Sequence, residues 1–508
     1  MSKLFEEKVR AGQPYLYRKN GLPSEVYEVR FLNEIDHDRL DSALGSAIER
    51  YPYFKVRYQE RGGDFFTVPN DLPMNAINSD ELPALGGSDN NYHLIAVSHY
   101  GRSIFVSFHH GLTDGRGIKS FVETLVYYYC CKCFGTVEAP EGVLTNEIPF
   151  SESEIAEPCG EKYIVGKKEK IEGLSRKGFT LPETEGKKTS HRRYELSFSQ
   201  EEFIALCKSH GGSPVTMLSV MMSRAVNRLY PDCGKVIKSN FPVDVRRELG
   251  VEGTYKNCVK SISLPYGEKE RDMSTDELCA HYKMLMNAQR TADHCRAEFN
   301  IIIMLLNILD HLHSYKKKRA VLRFLDDLKL DTYLISYIGQ FAFGANERYI
   351  DSVHLFSNCS DGLVLNMTCA CGRFNIDFVQ DFDSEKYITS LCEEFAAENI
   401  AISVSDEIEF ETPLDHLMRD MPYAPAIIDR RTLWQKTVDA NVTAYHAVEK
   451  AAVSSMTAVT DGFVKLFLMK DDETLNEAKL RLRNEQEQRF AQQAAVSAPR
   501  LPHVSSRG

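Results

Sequence analysis

The sequence lacks the features that assign many chains to a class at first sight. No apolar run approaches the roughly 18 residues that a membrane-spanning helix needs, since the stretch 301–309 is short and contains Asn307. There is no Gly-x-Ser-x-Gly elbow, His-Glu-x-x-His helix, Walker loop or Gly-x-Gly-x-x-Gly turn. An excess of basic residues is also absent, because the formal net charge is -11, and this argues against nucleic acid as a partner.

An apolar signal region is lacking as well, because the first residues are polar and charged. The chain has 13 cysteines, an odd number, so we expect reduced thiols and a cytoplasmic location. Two clusters, Cys130-Cys131-x-Cys133 and Cys369-x-Cys371, lack the matched pairs of a zinc site. Because free cysteine behaves as a small hydrophobe, we interpret both clusters as buried thiols and predict no metal site.

What the sequence does have is an ordinary hydrophobic fraction, 43%, and enough length for two or three domains. Strand and helix patterns predict α/β lobes at residues 1–134 and 194–420. Residues 135–193, first rich in glutamate and then basic, are too polar for a core, so we predict a crossover linker. Residues 421–508 have a charged helical pattern, and we predict a helical appendage with a disordered end.

Chemically reactive side chains concentrate in residues 109–115, His-His-Gly-Leu-Thr-Asp-Gly. Alternating apolar residues predict a strand before this stretch, and a helical apolar period from Ile118 predicts a helix after it. Adjacent histidines on a strand point in opposite directions, so one can face a cleft as a proton acceptor while the other faces the interior. In the turn, Asp114 can pin the backbone or pair with a cation, and Gly115 allows a positive φ.

The plainer interpretation of this stretch is a buried histidine pair beside an aspartate that caps the following helix. We favour a functional site, because the two histidines, the aspartate and the glycine occur together as one unit between a strand and a helix. Residues that carry out chemistry are often placed in this way, on a short loop that a rigid scaffold holds at both ends.

The unit resembles the His-His-x-x-x-Asp-Gly signature of the chloramphenicol-acetyltransferase-like superfamily, which includes peptide-synthetase condensation domains and several groups of acyltransferases. Further segments, in the same order along the chain, are similar to segments of that superfamily: Asp36–Tyr53, Phe241–Arg247, Gly253–Asn257 and Ile335–Gly339. In the last of these, Tyr337 stands where the superfamily usually has asparagine. The likeness covers roughly residues 1 to 400 and is strongest to alcohol O-acetyltransferases.

The resemblance implies an α/β fold of two chloramphenicol-acetyltransferase-like lobes, with mixed sheets and a tunnel between them that thioester donor and acceptor enter from opposite mouths. It also implies that His110, rather than its neighbour His109, is the general base that takes the proton of the acceptor. Asp114 and Gly115 complete the motif. Asp114 is expected to pair with an arginine of the second lobe, and Arg246 is the best match for that arginine.

The resemblance leaves two positions of the site open. Arg247 is the next candidate for the arginine partner. The tetrahedral oxyanion of an acyl transfer also needs a hydrogen-bond donor. Asn257, Ser336 and Thr368 are the candidates for this donor, and the sequence does not choose among them.

By resemblance, the reaction is transfer of an acyl group, most simply acetyl, from a CoA thioester to a small hydroxylated acceptor without a covalent enzyme intermediate. Acyl-CoA is then a co-substrate rather than a bound cofactor. Two alternatives stay open: a stand-alone condensation enzyme that uses substrates bound to an acyl carrier protein, and a non-catalytic binding protein on the same fold. We interpret the basic part of the linker as a solvated loop, or else as a contact for CoA phosphates or an acidic carrier protein. The sequence does not disclose the acyl chain length, the acceptor or the oligomeric state.

Overall fold

The structure is a computed structural model that describes residues 5–17, 22–136, 138–166, 177–185, 191–326, 331–358 and 362–414, together with a few positions between 474 and 484. The predicted helical appendage at 421–508 lies almost wholly outside these residues. Much of the basic part of the linker, at 167–176 and 186–190, lies outside them as well.

Strands and helices alternate along most of the described chain. In chain order the strands are β1 (Glu7–Lys8), β2 (Glu25–Phe31), β3 (Val56–Arg61), β4 (Asp64–Pro69), β5 (Ile77–Asn78), β6 (Ile95–Tyr100), β7 (Ser103–Phe108), β8 (His191–Ser199), β9 (Ile237–Asp244), β10 (Val259–Tyr266), β11 (Tyr333–Gln340), β12 (Ile350–Phe356), β13 (Leu363–Ala370), β14 (Arg373–Gln380), β15 (Ile402–Val404) and β16 (Ile408–Phe410). The helices are α1 (Gln13–Leu16), α2 (His37–Arg50), α3 (Gly115–Phe134), α4 (Gln200–Ser209), α5 (Pro214–Leu229), α6 (Arg246–Leu249), α7 (Glu268–Arg271), α8 (Thr275–Gln289), α9 (Ala292–Asp310), α10 (Tyr315–Asp326) and α11 (Lys386–Ala397).

Two large sheets and one small sheet form the framework. The first sheet has the strand order β12-β2-β7-β6-β5, and the second has the order β10-β9-β11-β13-β14-β8-β15, with β16 also paired to β8. The small sheet is β1-β4-β3. Parallel pairs, β5 with β6 in the first sheet and β11 with β9 and β13 in the second, stand among antiparallel neighbours. The prediction of an α/β fold with mixed sheets is therefore confirmed.

The first sheet is completed by a strand from the second half of the chain. Strand β12 pairs with β2 in antiparallel register, with Val353 opposite Val29, although its sequence lies within the predicted second lobe. Pro23 also forms an isolated bridge with Leu414. Apolar alternation predicts that a segment is a strand but does not predict its partner, which is why the sequence groups β12 with its neighbours in the chain. The two lobes therefore share backbone pairing.

Helices begin where short polar side chains cap them. Asp36 caps α2, and Ser274 with Glu277 forms a capping box at the start of α8. At the helix that follows the predicted site, Asp114 is the cap of α3. The same helix ends at Gly135, whose φ of 70° provides the left-handed conformation that stops a helix.

Each large sheet packs against its own helices. The first apolar cluster joins the first sheet to α2 and α3 through residues such as Leu44 and Phe121. The second cluster joins the second sheet to α5, α8 and α11 through residues such as Met217 and Leu391. In the part of the chain that the structure describes, every helix is too short or too polar to cross a lipid bilayer.

The cysteines of the described residues are free thiols. Cys130 and Cys369 are buried as predicted, and burial raises the pKa of each thiol to about 12. Cys131, Cys133 and Cys371 are only partly buried. The prediction of two buried clusters therefore holds for one cysteine of each cluster.

Candidate active site

Residues 109–115, which we call the motif loop, connect β7 to α3 as the sequence predicts. His109 is 1% exposed, and its Nδ1 accepts a hydrogen bond of 2.9 Å from the backbone N–H of Gly111. Its own backbone N–H donates to the carbonyl oxygen of Leu94 at 2.9 Å. Its ring and that of Tyr58 form an edge-to-face pair. His109 therefore braces the loop from the interior.

His110 is half-buried and is oriented by a residue of the second lobe. Its Nδ1 lies 2.9 Å from Oδ1 of Asn257, and Nδ2 of Asn257 donates to the carbonyl oxygen of His110 at 2.8 Å. Because the amide nitrogen of Asn257 binds the carbonyl oxygen of His110, the amide oxygen of Asn257 must be the atom that faces the imidazole. An amide oxygen only accepts hydrogen bonds, so Nδ1 of His110 must carry a hydrogen. The lone pair of Nε2 is then the basic position of the ring.

Asp114 is buried, and both oxygens of its carboxylate are engaged. Nη2 of Arg246 lies 2.8 and 2.9 Å from the two oxygens. The backbone N–H groups of Gly117 and Cys258 donate to the carboxylate at 2.7 and 2.8 Å. Asp114 therefore ties the motif loop and the start of α3 to the second lobe, and its oxygens are not placed to exchange protons with a substrate.

Arg246 is the partner that the resemblance predicts for Asp114, whereas its neighbour Arg247 is exposed. Arg246 also donates to the carbonyl oxygens of Thr254 at 2.7 Å and Lys256 at 2.8 Å. Burial by itself lowers the pKa of the guanidinium, but neighbouring carboxylates, Asp114 first, outweigh this and raise the pKa above its ordinary value. Arg246 therefore stays charged in the interior.

Two glycines at the start of α3 lie close to other groups, Gly115 to the movable end of a side chain and Gly117 to backbone. The expectation of a positive φ at Gly115 is wrong, because Gly115 lies in the first turn of the helix and outside the left-handed region. A Cβ at this position would lie 2.9 Å from Cδ1 of Ile338 on β11. The second glycine, Gly117, is not singled out by the sequence, and its Cβ would lie 2.1 Å from the carbonyl oxygen of Tyr255.

The three candidates for an oxyanion donor have different surroundings. Thr368 is excluded, because its hydroxyl is fully buried and donates to a backbone carbonyl of β12 at 2.5 Å. Asn257 holds the imidazole of the motif loop, as described above. Ser336 is half-buried on β11, two residues before Ile338, whose side chain reaches the start of α3. Among the hydrogen bonds of the described residues, none joins Ser336 to the motif loop.

A segment that sequence reasoning missed also reaches the site. Residues 5–17, which we call the N-terminal strap, bring Tyr15 onto His110 with ring centroids 4.0 Å apart and ring planes inclined by 12°. Leu16 of the strap packs beside Gly111. Neither a motif nor an apolar period marks Tyr15, because its partner is distant in sequence and the contact exists only in the folded chain.

Comparison with known protein families and with curated proteins finds no match. Solved structures do match. Polyketide synthase associated protein 5 from Mycobacterium tuberculosis superposes with a TM-score of 0.51 at 13% identity, over 76% of this chain and 96% of that protein. TRI101 of F. sporotrichioides, complexed with coenzyme A and T-2, gives a TM-score of 0.51 at 12% identity, over 78% and 99%.

TRI101 of F. graminearum, complexed with coenzyme A and T-2 mycotoxin, gives a TM-score of 0.52 at 12% identity, over 78% of this chain and 99% of that protein. At such identities a likeness is an argument about fold and not about substrate or the role of a residue. The chain has the two-lobed α/β fold of the chloramphenicol-acetyltransferase-like superfamily.

Proposed function

We propose that the protein is an acyltransferase that moves an acyl group, most simply acetyl, from a CoA thioester to the hydroxyl of a small acceptor, with His110 as the general base. The observation that carries the proposal is the contact between His110 and Asn257, which leaves Nε2 of a half-buried imidazole as the proton acceptor. The fold adds support, because TRI101, which shares it, was crystallised with coenzyme A.

In the proposed reaction, Nε2 of His110 removes the hydroxyl proton of the acceptor while the oxygen attacks the thioester carbonyl carbon. The carbonyl electron pair moves onto its oxygen and gives a tetrahedral oxyanion. When this pair returns, the C–S bond breaks, and the departing thiolate takes the proton from the imidazolium. A positioned imidazole contributes about 10²–10⁴-fold to such a step. The product is an ester and free thiol, and no bond to the protein forms.

The other residues of the site have supporting roles in this proposal. Asn257 sets the tautomer of the base, and the pair of Asp114 with Arg246 holds the motif loop. Ser336 is the proposed oxyanion donor, because no hydrogen bond within the described residues occupies its hydroxyl and its strand reaches the motif loop at Ile338.

We propose a free acyl-CoA as the donor, with a thioester on an acyl carrier protein as the alternative. The basic run of the linker ends at Arg192 and Arg193. Arg193 is buried and lies 2.8 Å from Asp377, and Arg192 pairs with Glu407, so both already have acidic partners. A contact for CoA phosphates or a carrier protein in the rest of the run falls largely outside the described residues and stays a prediction.

A cytoplasmic location and the absence of nucleic acid among the partners belong to the same proposal. The free thiols of the described residues are typical of a reducing compartment. The formal net charge of -11 disfavours binding to a polyanion.

The experiment that tests the proposed function measures thiol release from acetyl-CoA and from longer acyl-CoAs with a panel of alcohols and amines. Wild type is compared with His110→Ala and with His313→Ala, which removes an exposed histidine. We expect release that depends on an alcohol, falls by at least about 10²-fold in His110→Ala, and is unchanged in His313→Ala.

Equal release by wild type and His110→Ala would contradict the role of His110. Release from a carrier-protein thioester but from no CoA thioester would identify a condensation enzyme instead. No release from either kind of donor would favour the non-catalytic binding protein.

A further inference from the structure

The N-terminal strap is anchored to separate parts of the molecule. Lys8 bridges Asp64 on β4 at 2.9 Å and Asp310 at the end of α9 at 2.8 Å. Arg10 donates to the carbonyl oxygen of Cys159 in the linker at 3.1 Å and also pairs with Asp310. The small sheet, the second lobe and the linker therefore all hold the strap in place.

At its midpoint the strap touches the backbone of the motif loop. A Cβ on Gly12 would lie 1.7 Å from the carbonyl oxygen of Gly111. The φ of Gly12 is -83°, a value that any residue adopts, so glycine is required here for the close approach alone. This approach places the next turn of the strap, α1, directly over the imidazole of the site.

We infer that Tyr15 is a positioning residue for His110. Its ring covers one face of the imidazole in a near-parallel stack, and this contact comes from a segment that no motif of the site includes. The inference rests on the proposed function, because a positioning role requires that His110 is the base. The stacking contact itself does not depend on that function.

Two contacts of different kinds then restrain the imidazole. The hydrogen bond from Nδ1 to Asn257 lies in the ring plane and limits rotation within that plane. The face of Tyr15 limits tilting out of the plane, and its π electrons favour the imidazolium that forms when the base accepts a proton. Loss of the ring should therefore slow the proton transfer and leave substrate binding nearly unchanged.

Two substitutions at Tyr15 test this role. Tyr15→Phe keeps the aromatic face and should retain wild-type kcat. Tyr15→Leu removes the face and should lower kcat by about 3- to 10-fold, the size of an aromatic pair contribution, with little change in KM. Wild-type kcat in Tyr15→Leu, or an equal loss in both variants, would overturn the positioning role.

A chemical readout separates this inference from the proposed function. Diethyl pyrocarbonate modifies accessible neutral imidazole, and peptide mass spectrometry gives the rate at His110 alone. We expect faster modification of His110 in Tyr15→Leu than in wild type or Tyr15→Phe, whether or not the protein transfers acyl groups. Equal rates in all three proteins would show that the stack does not cover the ring and would overturn the inference.

Gly12→Ala tests whether the strap sets the contact, and Gly45→Ala is the matched control. A Cβ on Gly45 in α2 meets nothing within 4 Å. We expect Gly12→Ala to reproduce the kcat loss and the faster modification of His110, while Gly45→Ala stays at wild-type values. Melting curves of both variants show whether the fold is retained. Wild-type behaviour of Gly12→Ala would contradict the placement of Tyr15 by the strap.

Discussion

At the scale of single residues, the position of one proton depends on both lobes. His110 belongs to the first lobe and Asn257 to the second, and their double contact decides which ring nitrogen carries hydrogen. A general base must present its lone pair to the substrate, so the wrong tautomer is inactive even when the ring is in place. The second lobe therefore orients the proposed base without supplying its basic atom.

We predict that Asn257→Ala lowers kcat by about 10- to 100-fold, because nothing at this position then fixes the tautomer and the orientation of the His110 imidazole. Steady-state kinetics measures this loss, and ¹⁵N NMR of labelled histidine should show that hydrogen is no longer confined to Nδ1. Asn287→Ala, which removes an exposed amide from α8, is the control and should behave as wild type. Retention of wild-type kcat and of one tautomer by Asn257→Ala would contradict the assignment.

Sequence reasoning could find residues of the site that are neighbours in the chain. His110 and Asp114 stand within one motif, and the order of weaker motifs leads to Arg246. It could not find Tyr15, and it predicted Asn257 as a candidate oxyanion donor rather than as the partner of the His110 imidazole. Both contacts join segments that are far apart in sequence, and no local pattern records such a contact.

At the scale of elements, the first turn of α3 is where the motif loop, the helix and the second lobe meet. Asp114 is at once the cap of α3 and the partner of a buried guanidinium. Without Asp114 the buried guanidinium of Arg246 keeps Asp244, at 2.9 Å, but loses its buried acidic partner, and this loss costs more than the loss of a helix cap.

We predict that Asp114→Ala lowers the free energy of unfolding by about 3–5 kcal/mol and abolishes activity through distortion of the motif loop. The control is Asp36→Ala, which removes the cap of α2 at an exposed position and should cost about 1 kcal/mol. Urea denaturation and thiol release measure the two effects. Normal stability together with normal turnover in Asp114→Ala would refute the prediction.

Local sequence patterns predict individual strands and helices better than they predict which of these elements pair with each other. The strand before the motif and the helix after it, like the capping box at Ser274, were predictable because each depends on residues within a few positions of one another. The pairing of β12 with β2 depends on packing across the whole chain, and the need for space at Gly117 depends on a carbonyl of the second lobe.

At the scale of the whole molecule, a buried network of charges joins the two large sheets. Arg193 on β8 lies 2.8 Å from Asp377 and 3.2 Å from Glu28 on β2. The other members approach one another across the same interface: Arg30, Glu195 and His354. Side-chain atoms of Glu195, Asp377 and His354 that could bind a metal ion lie within 4.8 Å of one another. Arg193 pairs with both carboxylates, so an ion-pair network accounts for this grouping.

Because of this network, the free energy of unfolding should depend on pH at both acidic and alkaline pH. Burial by itself lowers the pKa of His354, but Asp377 and Glu195 outweigh it and raise the pKa. Its contribution is therefore complete below about 6.5, the ordinary value, and is lost as the pH rises through the raised pKa. Burial raises the pKa of Glu195, but Arg30 and other cations lower it to about 2, so its contribution is lost only as the pH falls toward that value.

We predict that His354→Gln lowers the free energy of unfolding by about 3–5 kcal/mol near pH 6, because it removes the cation that pairs with the buried Asp377 and the half-buried Glu195. The difference from wild type should shrink as the pH rises from about 6 through the raised pKa of His354, where the wild-type imidazole loses its charge. Urea denaturation across this range measures it, with the exposed His313→Gln as control. A difference that does not change with pH would contradict a charged His354.

Strand β12 also determines the order in which the molecule can be completed during synthesis. The ribosome has made β2, β5, β6 and β7 long before it reaches Ile350, so β2 remains an open edge of its sheet through most of translation. An open edge invites pairing with other chains, and contacts between distant segments form slowly. A fragment that stops at the end of α3 is therefore prone to aggregate. In a chimera that takes its lobes from two different proteins of this fold, β12 must come from the same protein as β2.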